Sequence, residues 1–367
     1  MCVIAGYTGK RQAAPILIDM MRKIEYIDGG NPTGIATIHE GKLYVAKAIG
    51  NVDMLVKMTD AMNLPGTTGI IHSRPGFDYL STTHPYLDAE GKLAMVENGT
   101  QAGTGNDEFF AQMRSIMDAF LDRGIVAPTS RDIPAKDYPR QYTKDGKPFY
   151  YIEAFSMTVG DLVKDTPAEQ MKEAMAKAVQ RVRELLPTDN VTVTIHENLP
   201  DTITVGTISR PMSVMEAEGE TYLASVALAF PEDVKGKVSH LPQCAVSQVT
   251  PAGLEICTRE MDGVRVEQVT EEVLQYYRNQ LEPLLKTAPY ALCELEPILD
   301  KEIWSEPMVD CKYVREGSML KPVVPAIYQA LWSFHQEGRL RSNVDIVYAR
   351  DVPWPNIDQY FTKFWLD

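Results

Sequence analysis

Residues 1–10 read MCVIAGYTGK: a thiol at Cys2, an apolar run from Val3 to Ala5, then Gly6. Val3 and Ile4 are β-branched and suit a buried strand. A secretory signal would place a basic patch before a longer apolar run, and this segment has neither. Two readings of Cys2 follow. In one it is a small, half-buried strand residue. In the other Met1 is removed, and Cys2 becomes the first residue, with a thiol and a free α-amine on one carbon.

The next segments alternate between the two regular periods. "QAAPILIDMMRKIEY" sets Ala13, Ile16, Leu17, Met20, Met21 and Ile24 at helical spacing. Residues 28–32, DGGNP, break the chain. "GIATIHEGKLYVAKA" predicts two strands about a Glu40-Gly41 turn, and "TTGIIHS" and "KLAMVEN" predict short buried strands. A helix from Asp107 to Arg123 presents Phe109, Phe110, Met113, Ile116, Met117 and Phe120 on one face and ends at Gly124. Between Pro128 and Gly160 prolines, tyrosines and charges crowd together and give no element. "TPAEQMKEAMAKAVQRVRELLP" then predicts a helix with Thr166 as N-cap, Pro167 in the first position and Glu169 closing a capping box. Strands follow at "VTVTIHE", "DTITVGTI" and "TYLASVALA".

Near residue 260 short strands give way to helical segments, "EEVLQYYRNQLEPLLK" and "VPAIYQALWSFHQEG", before a strand-like "VDIVYA". This order suits a small, mostly helical region, with a winged helix as one form of it. Winged helices often bind nucleic acid, but residues 265–367 carry 11 basic and 16 acidic side chains, a net of −5. A structural or interface role therefore fits better.

The whole chain agrees with that charge. Its 367 residues carry 36 basic and 50 acidic side chains, a formal net charge of −14, which disfavours nucleic acid and anionic membranes as partners. The apolar share is 44% and the charged share 23%, ordinary for a soluble globular protein. No apolar run nears the roughly 18 residues that span a bilayer. The five cysteines, Cys2, Cys244, Cys257, Cys293 and Cys311, are odd in number and widely spaced. They suit reduced thiols in a cytoplasm better than a disulfide frame or a zinc site. His72 and His84 are the closest histidines, and nothing around them has metal-ligand spacing.

The N-terminal features stand in a distinctive order: Cys2 behind Met1, a strand and helix leading to "RKIEYIDGG", then "TGIIHSRPG", "THPY" and "VENGT". That order resembles the class II (N-terminal nucleophile) glutamine amidotransferase domain, especially that of glucosamine-6-phosphate synthase. The family opens on a cysteine-initiated strand and continues with "LEYRGYDSAG", "HTRWATHG", "AHP" and "VHNG". Later, "SRPMSVMEAEGETYLASVALAF" is similar to the family's "SGSPLVIG…GENFIASD". The resemblance implies an α+β fold, a four-layer α-β-β-α sandwich over residues 2–260. Its helices from Gln12 and Asp107 would lie outside. Residues 1–262 would form the amidotransferase-like domain, with a loose insertion at about 128–165. Residues 263–367 would form a helical accessory domain.

The chemistry implied is amide hydrolysis without a cofactor or metal. A thiol titrating near 8.5 and an α-amine near 8 both lie within reach of neutral pH. Once Met1 leaves, the amine of Cys2 can take the thiol's proton with no histidine involved. The thiolate would attack the side-chain amide of glutamine, release ammonia and leave a thioester for water to cleave. By the resemblance, Asn98 and Gly99 are the oxyanion donors, Arg74 pairs with the substrate α-carboxylate, and His72 lies in the same substrate-binding loop. Aligning "GIVAPTSRD" on the family's "GYTFVSETD" makes Asp132 the α-amine ligand.

The departures bear on the glutamine pocket. "HSRPGFDY" lacks the tryptophan, threonine and second histidine of the family loop, and Pro75 stiffens it. Ile27 stands where the family has arginine. The sugar-phosphate isomerase half does not fit in the roughly 100 C-terminal residues, so ammonia would pass to a separate synthase subunit, or to none. A homodimer is a further expectation. Three functional readings stay open: a glutamine amidotransferase or glutaminase subunit, an N-terminal-cysteine hydrolase of another amide, and a non-catalytic scaffold that binds a partner. While Met1 remains, the nitrogen of Cys2 is locked in a peptide bond, which would favour the scaffold.

Overall fold

The structure, a computed structural model, describes residues 2–75, 80–99, 107–128, 141–259, 265–299, 319–320, 322–347 and 359–367. Met1, Asp132 and Cys311 lie outside the described residues.

Two antiparallel sheets face each other. The first has seven strands in the order β13-β11-β12-β1-β4-β2-β3. These are β1 (Val3–Thr8), β2 (Thr33–His39), β3 (Lys42–Ala48), β4 (Thr68–Ser73), β11 (Ser213–Ala217), β12 (Glu220–Ala224) and β13 (Lys237–His240). The second has six, in the order β15-β14-β10-β9-β6-β5. These are β5 (Tyr86–Leu87), β6 (Leu93–Gly99), β9 (Asn190–His196), β10 (Ile203–Thr207), β14 (Ala245–Thr250) and β15 (Gly253–Thr258). Every neighbouring pair in both sheets is antiparallel, so the arrangement is not a doubly wound parallel sheet. A small hairpin pairs β7 (Gln141–Tyr142) with β8 (Pro148–Phe149).

The two-residue side-chain period of β1 sorts its residues between layers. Val3, Ala5 and Tyr7 enter a core shared with Leu17, Met21 and Ile24 of α1 (Ala13–Asp28). Ile4 turns the other way and meets Ile70, Val96, Val193 and Val205 between the sheets. On the far face of the second sheet, Leu93 and Met95 pack under three helices. These are α3 (Asp107–Asp122), α4 (Tyr151–Val163) and α5 (Met171–Leu185). Helical layers thus cover both outer faces. The β2–β3 turn is tight because Glu40 and Gly41 both take positive φ, 48° and 69°, the left-handed pair that a two-residue hairpin requires.

Helix α4 was not legible in the unassigned Pro128–Gly160 stretch. Residues 151–157 are all buried, as are Val159, Gly160 and Val163, so no polar stripe marks its period. The expected capping box at Thr166 is a correction. The Thr166 N–H bonds the carbonyl of Val163 and so closes α4. Pro167 is extended, residues 168–170 form a 3-10 turn, and α5 starts at Met171.

Helix α2 (Val52–Met58) sits against α1 through a buried acid: Oε2 of Glu25 accepts the Val52 N–H at 2.8 Å. Burial pushes this carboxyl up to about 7. An acid with a raised folded pKa contributes its full stability only below the unfolded value of about 4.3 and loses it as pH rises through the folded value. Glu25→Gln should lack that loss. Denaturant unfolding of the variant should gain about 3 kcal/mol relative to the parent between pH 4.5 and pH 8. Parallel stability curves over that range would show that Glu25 does not titrate there.

The C-terminal region combines α6 (Glu271–Thr287), α7 (Leu292–Leu299) and α8 (Val323–Gln336) with short strands. Strand β16 (Arg265–Val266) pairs with β18 (Met319–Leu320) in parallel. Strand β20 (Gln359–Leu366) lies between β17 (Tyr290–Ala291) and β19 (Leu340–Val347), antiparallel to both. Leu281, Leu285, Ile327, Leu331 and Phe334 share one apolar cluster with α1 and β1. Nearby, the Tyr328 hydroxyl donates to Oδ2 of Asp28 at 3.1 Å. Among the described residues no helix is long and apolar enough to cross a membrane.

Candidate active site

Strand register brings Cys2, His72, Arg74, Asn98 and Gly99 to one end of the two sheets. Val3 pairs with Ser73, and Thr33 also pairs with Ser73. Cys2 and Arg74 are therefore the next residues outward on neighbouring strands. In the second sheet Asn98 and Gly99 close β6 opposite Val191 and Asn190. The alternation that sends Ile4 between the sheets sends Cys2 the same way. It does the same for Asn98, two residues beyond Val96. The gap between the two is closed by a hydrogen bond: the Cys2 N–H donates to Oδ1 of Asn98 at 3.1 Å. That leaves the Asn98 Nδ2 hydrogens as donors.

Cys2 is half-buried. Burial pushes its thiol up to about 11, the Arg74 charge pulls the other way, and the Glu97 and Asp28 carboxyls oppose ionisation. The thiol is thus protonated at neutral pH and needs a base.

Arg74 is 3% exposed. Its Nη1 donates to the Thr82 carbonyl at 3.1 Å and to the Tyr150 hydroxyl at 2.8 Å. The guanidinium carbon stands 5.6 Å from the centre of the Tyr150 ring. Its main chain is fixed as well, since Arg74 and Asn31 exchange hydrogen bonds with Pro32 and Arg74 carbonyls.

His72 is fully buried, and its Nε2 lies 2.9 Å from the Glu97 carbonyl. The His84 ring stacks on it at 3.9 Å, and His84 Nδ1 accepts the Glu97 N–H at 3.1 Å. A carbonyl can only accept, so His72 carries hydrogen on Nε2. An N–H can only donate, so Nδ1 of His84 is bare. Burial pushes His72 down to about 3 and His84 well below 6.5. Both rings are neutral. Together they hold the main-chain N–H and carbonyl of one β6 residue, and His72 thereby links β4 of the first sheet to β6 of the second.

Glu97, Tyr150 and Tyr151 were not singled out in the sequence. Glu97 is 1% exposed, and its Oε2 accepts the Tyr151 hydroxyl at 3.2 Å. Burial pushes its carboxyl up to about 7. The available signal was a charge in "VENG" at a position where alternation points into the helix-facing core. Gly99 has no space for a larger residue. A Cβ there would stand 2.2 Å from Glu97 Oε1, 2.5 Å from Asn190 Cβ and 2.8 Å from the Asp189 carbonyl.

Among the other described cysteines, Cys244 is buried, Cys257 is exposed, and burial pushes Cys293 up to about 12. Among the described residues no group of three His, Cys, Asp or Glu side chains could hold a metal ion.

No protein-family model matches the sequence. Curated relatives do. The glutamine–fructose-6-phosphate aminotransferase (isomerizing) of Pyrococcus horikoshii is 39% identical over 102 residues, 27% of this chain and 17% of the relative. The protein of the same name from Thermosynechococcus vestitus is 26% identical over 260 residues, 70% of this chain and 36% of the relative. That of Zymomonas mobilis is 25% identical over 332 residues, 88% of this chain and 45% of the relative. The chain thus spans less than half the length of these relatives.

Among solved structures, the glutamine phosphoribosylpyrophosphate amidotransferase from B. subtilis, complexed with ADP and GMP, superposes with a TM-score of 0.51. It is 15% identical and is matched over 72% of this chain and 50% of that one. An allosteric regulatory enzyme of purine biosynthesis gives the same TM-score at 16% identity, over 72% of this chain and 50% of that one. These likenesses show the fold. The chain is similar to the class II glutamine amidotransferase domain.

Proposed function

We propose that this protein is an enzyme that hydrolyses the side-chain amide of glutamine with Cys2 as nucleophile. The observation that carries this reading is the 3.1 Å hydrogen bond from the Cys2 nitrogen to Asn98 Oδ1. It sets the nucleophile's own amine beside the amide meant to hold an oxyanion.

In the mature chain, with Met1 removed, the α-amine of Cys2 takes the thiol proton. The thiolate adds to the amide carbon. Asn98 Nδ2 and the Gly99 N–H stabilise the oxyanion, whose donors must approach within about 3 Å. The protonated amine gives its proton to the leaving nitrogen, and ammonia departs. Water then cleaves the thioester to free glutamate and the thiol. Arg74 supplies positive charge for the substrate carboxylate, and Asp132 binds the α-amine. Residues 263–367 serve as an accessory domain that packs on α1.

Mature protein incubated with glutamine should release ammonia and glutamate in equal amounts. Intact-mass analysis should show loss of Met1 and one adduct per chain from a glutamine-analogue electrophile, located on Cys2. The absence of both ammonia and an adduct would remove the glutaminase reading. One observation favours a second substrate class: Arg74 Nη1 already donates to Thr82 and Tyr150. Hydrolysis of amides without an α-carboxylate at rates above glutamine would establish it.

A further inference from the structure

The geometry points to Glu97 as a positioning residue of the Asn98-Gly99 turn, whose protonated form supports the reaction and whose ionised form opposes it. This inference rests on the glutaminase reading of the same site.

Glu97 precedes Asn98 on β6, so its side chain leaves the opposite face of the strand. Asn98 looks between the sheets toward Cys2. Glu97 looks outward with Leu93 and Met95, under α4 and α5. Its main-chain N–H donates to His84 Nδ1, and its main-chain carbonyl accepts from His72 Nε2. Its carboxyl accepts from the Tyr151 hydroxyl through Oε2, with the Asn190 side chain also within reach. Oε1 rests against the back of Gly99, 2.2 Å from where a Cβ would stand. A buried carboxyl thus abuts the peptide that would donate to the oxyanion.

The charged and titratable groups around it are accounted for by element. Tyr151 faces it from α4, Arg183 from α5, Arg210 from the segment after β10, and Cys2 from the entry to β1. Neither arginine forms an ion pair with it. Arg183 donates to the Asn190 carbonyl and the Thr192 hydroxyl. Arg210 pairs with Asp189 at 2.6 Å. Burial pushes the carboxyl up to about 7, so it titrates in the range where the site would work. Neutral, it fills space behind Gly99 and adds no charge. Ionised, it sets a negative charge near the Cys2 thiolate and the forming oxyanion, where it destabilises both.

Two measurements test this. The first needs no glutamine: the rate of Cys2 alkylation by iodoacetamide, followed from pH 6 to 10 in the parent and in Glu97→Gln. The variant keeps the shape and loses the charge. Its Cys2 should ionise at lower pH, and alkylation at pH 8 should be roughly three- to tenfold faster. The second is the pH profile of glutamine hydrolysis. The parent should decline as pH rises above about 7, and Glu97→Gln should keep its activity there. Tyr151→Phe provides a second variant. It removes a donor that favours the ionised carboxylate, so the decline should move to higher pH.

Superimposed alkylation profiles for parent and Glu97→Gln would overturn the inference. So would a Glu97→Gln enzyme that is slower by one constant factor at every pH. If the alkylation shift appears in a protein that does not hydrolyse glutamine, the role of Glu97 beside the thiol stands and the glutaminase reading falls.

Discussion

Cys2→Ala is expected to lower glutamine hydrolysis by at least about 10³-fold, because no other group can form the thioester. Stability should hardly change. Cys2 is half-buried at the entry to β1, and losing one sulfur there should cost well below the roughly 2–5 kcal/mol of large core truncations. Cys2→Ser keeps the size but carries a much less acidic hydroxyl, so turnover should fall steeply there too. A variant that retains Met1 should match Cys2→Ala, since the base is the freed amine. Alanine at Cys244, Cys257, Cys293 or Cys311 should leave turnover largely intact. Ammonia release under saturating glutamine, with denaturant midpoints measured in parallel, checks all of these. Normal hydrolysis by a chain that retains Met1 would end the N-terminal-nucleophile mechanism and return Cys2 to a strand residue.

Asn98→Ala should reduce kcat by about 10²- to 10³-fold, the range for loss of one oxyanion donor. Two interactions go at once, the acceptor for the Cys2 nitrogen and the Nδ2 donor. Asn98→Asp separates them. It keeps an oxygen for the Cys2 nitrogen, now charged, and removes the donor. If oxyanion stabilisation dominates, both variants should be equally poor. If positioning of Cys2 dominates, Asn98→Asp should retain most of the rate. The cost to stability should stay near 1 kcal/mol, the usual net value of a hydrogen bond. An Asn98→Ala enzyme within threefold of the parent would remove Asn98 from the site.

The candidate site was legible only in part. The Cys2 strand, the α1 stripe and the Asn98-Gly99 turn each carry a local signal: apolar alternation, a 3.6-residue period, and a polar pair after an apolar run. The Arg74 motif was equally visible. Its enclosure by Thr82 and Tyr150 was not, because Tyr150 lies 76 positions away at the N-cap of a helix with no polar face. His72 and His84 stood out as the closest histidines and lacked metal-ligand spacing. Only the fold reveals them as a stacked pair bonded to the main-chain carbonyl and N–H of one residue, Glu97.

Alternation and periodicity alone determined most strands and helices, the outward course of α1 and the unusual thiol at Cys2, since each follows from residues close together in the chain. The tertiary structure decided which strand ends meet. The pairings Val3 with Ser73 and Gly99 with Asn190 join segments far apart in sequence, and their register depends on burying whole faces rather than on any one motif. It decided the protonation of the site as well. Cys2 pushed up to about 11, Glu97 up to about 7 and His72 down to about 3 are consequences of removing those groups from water. Desolvation belongs to the packed protein, and no short stretch of sequence encodes it.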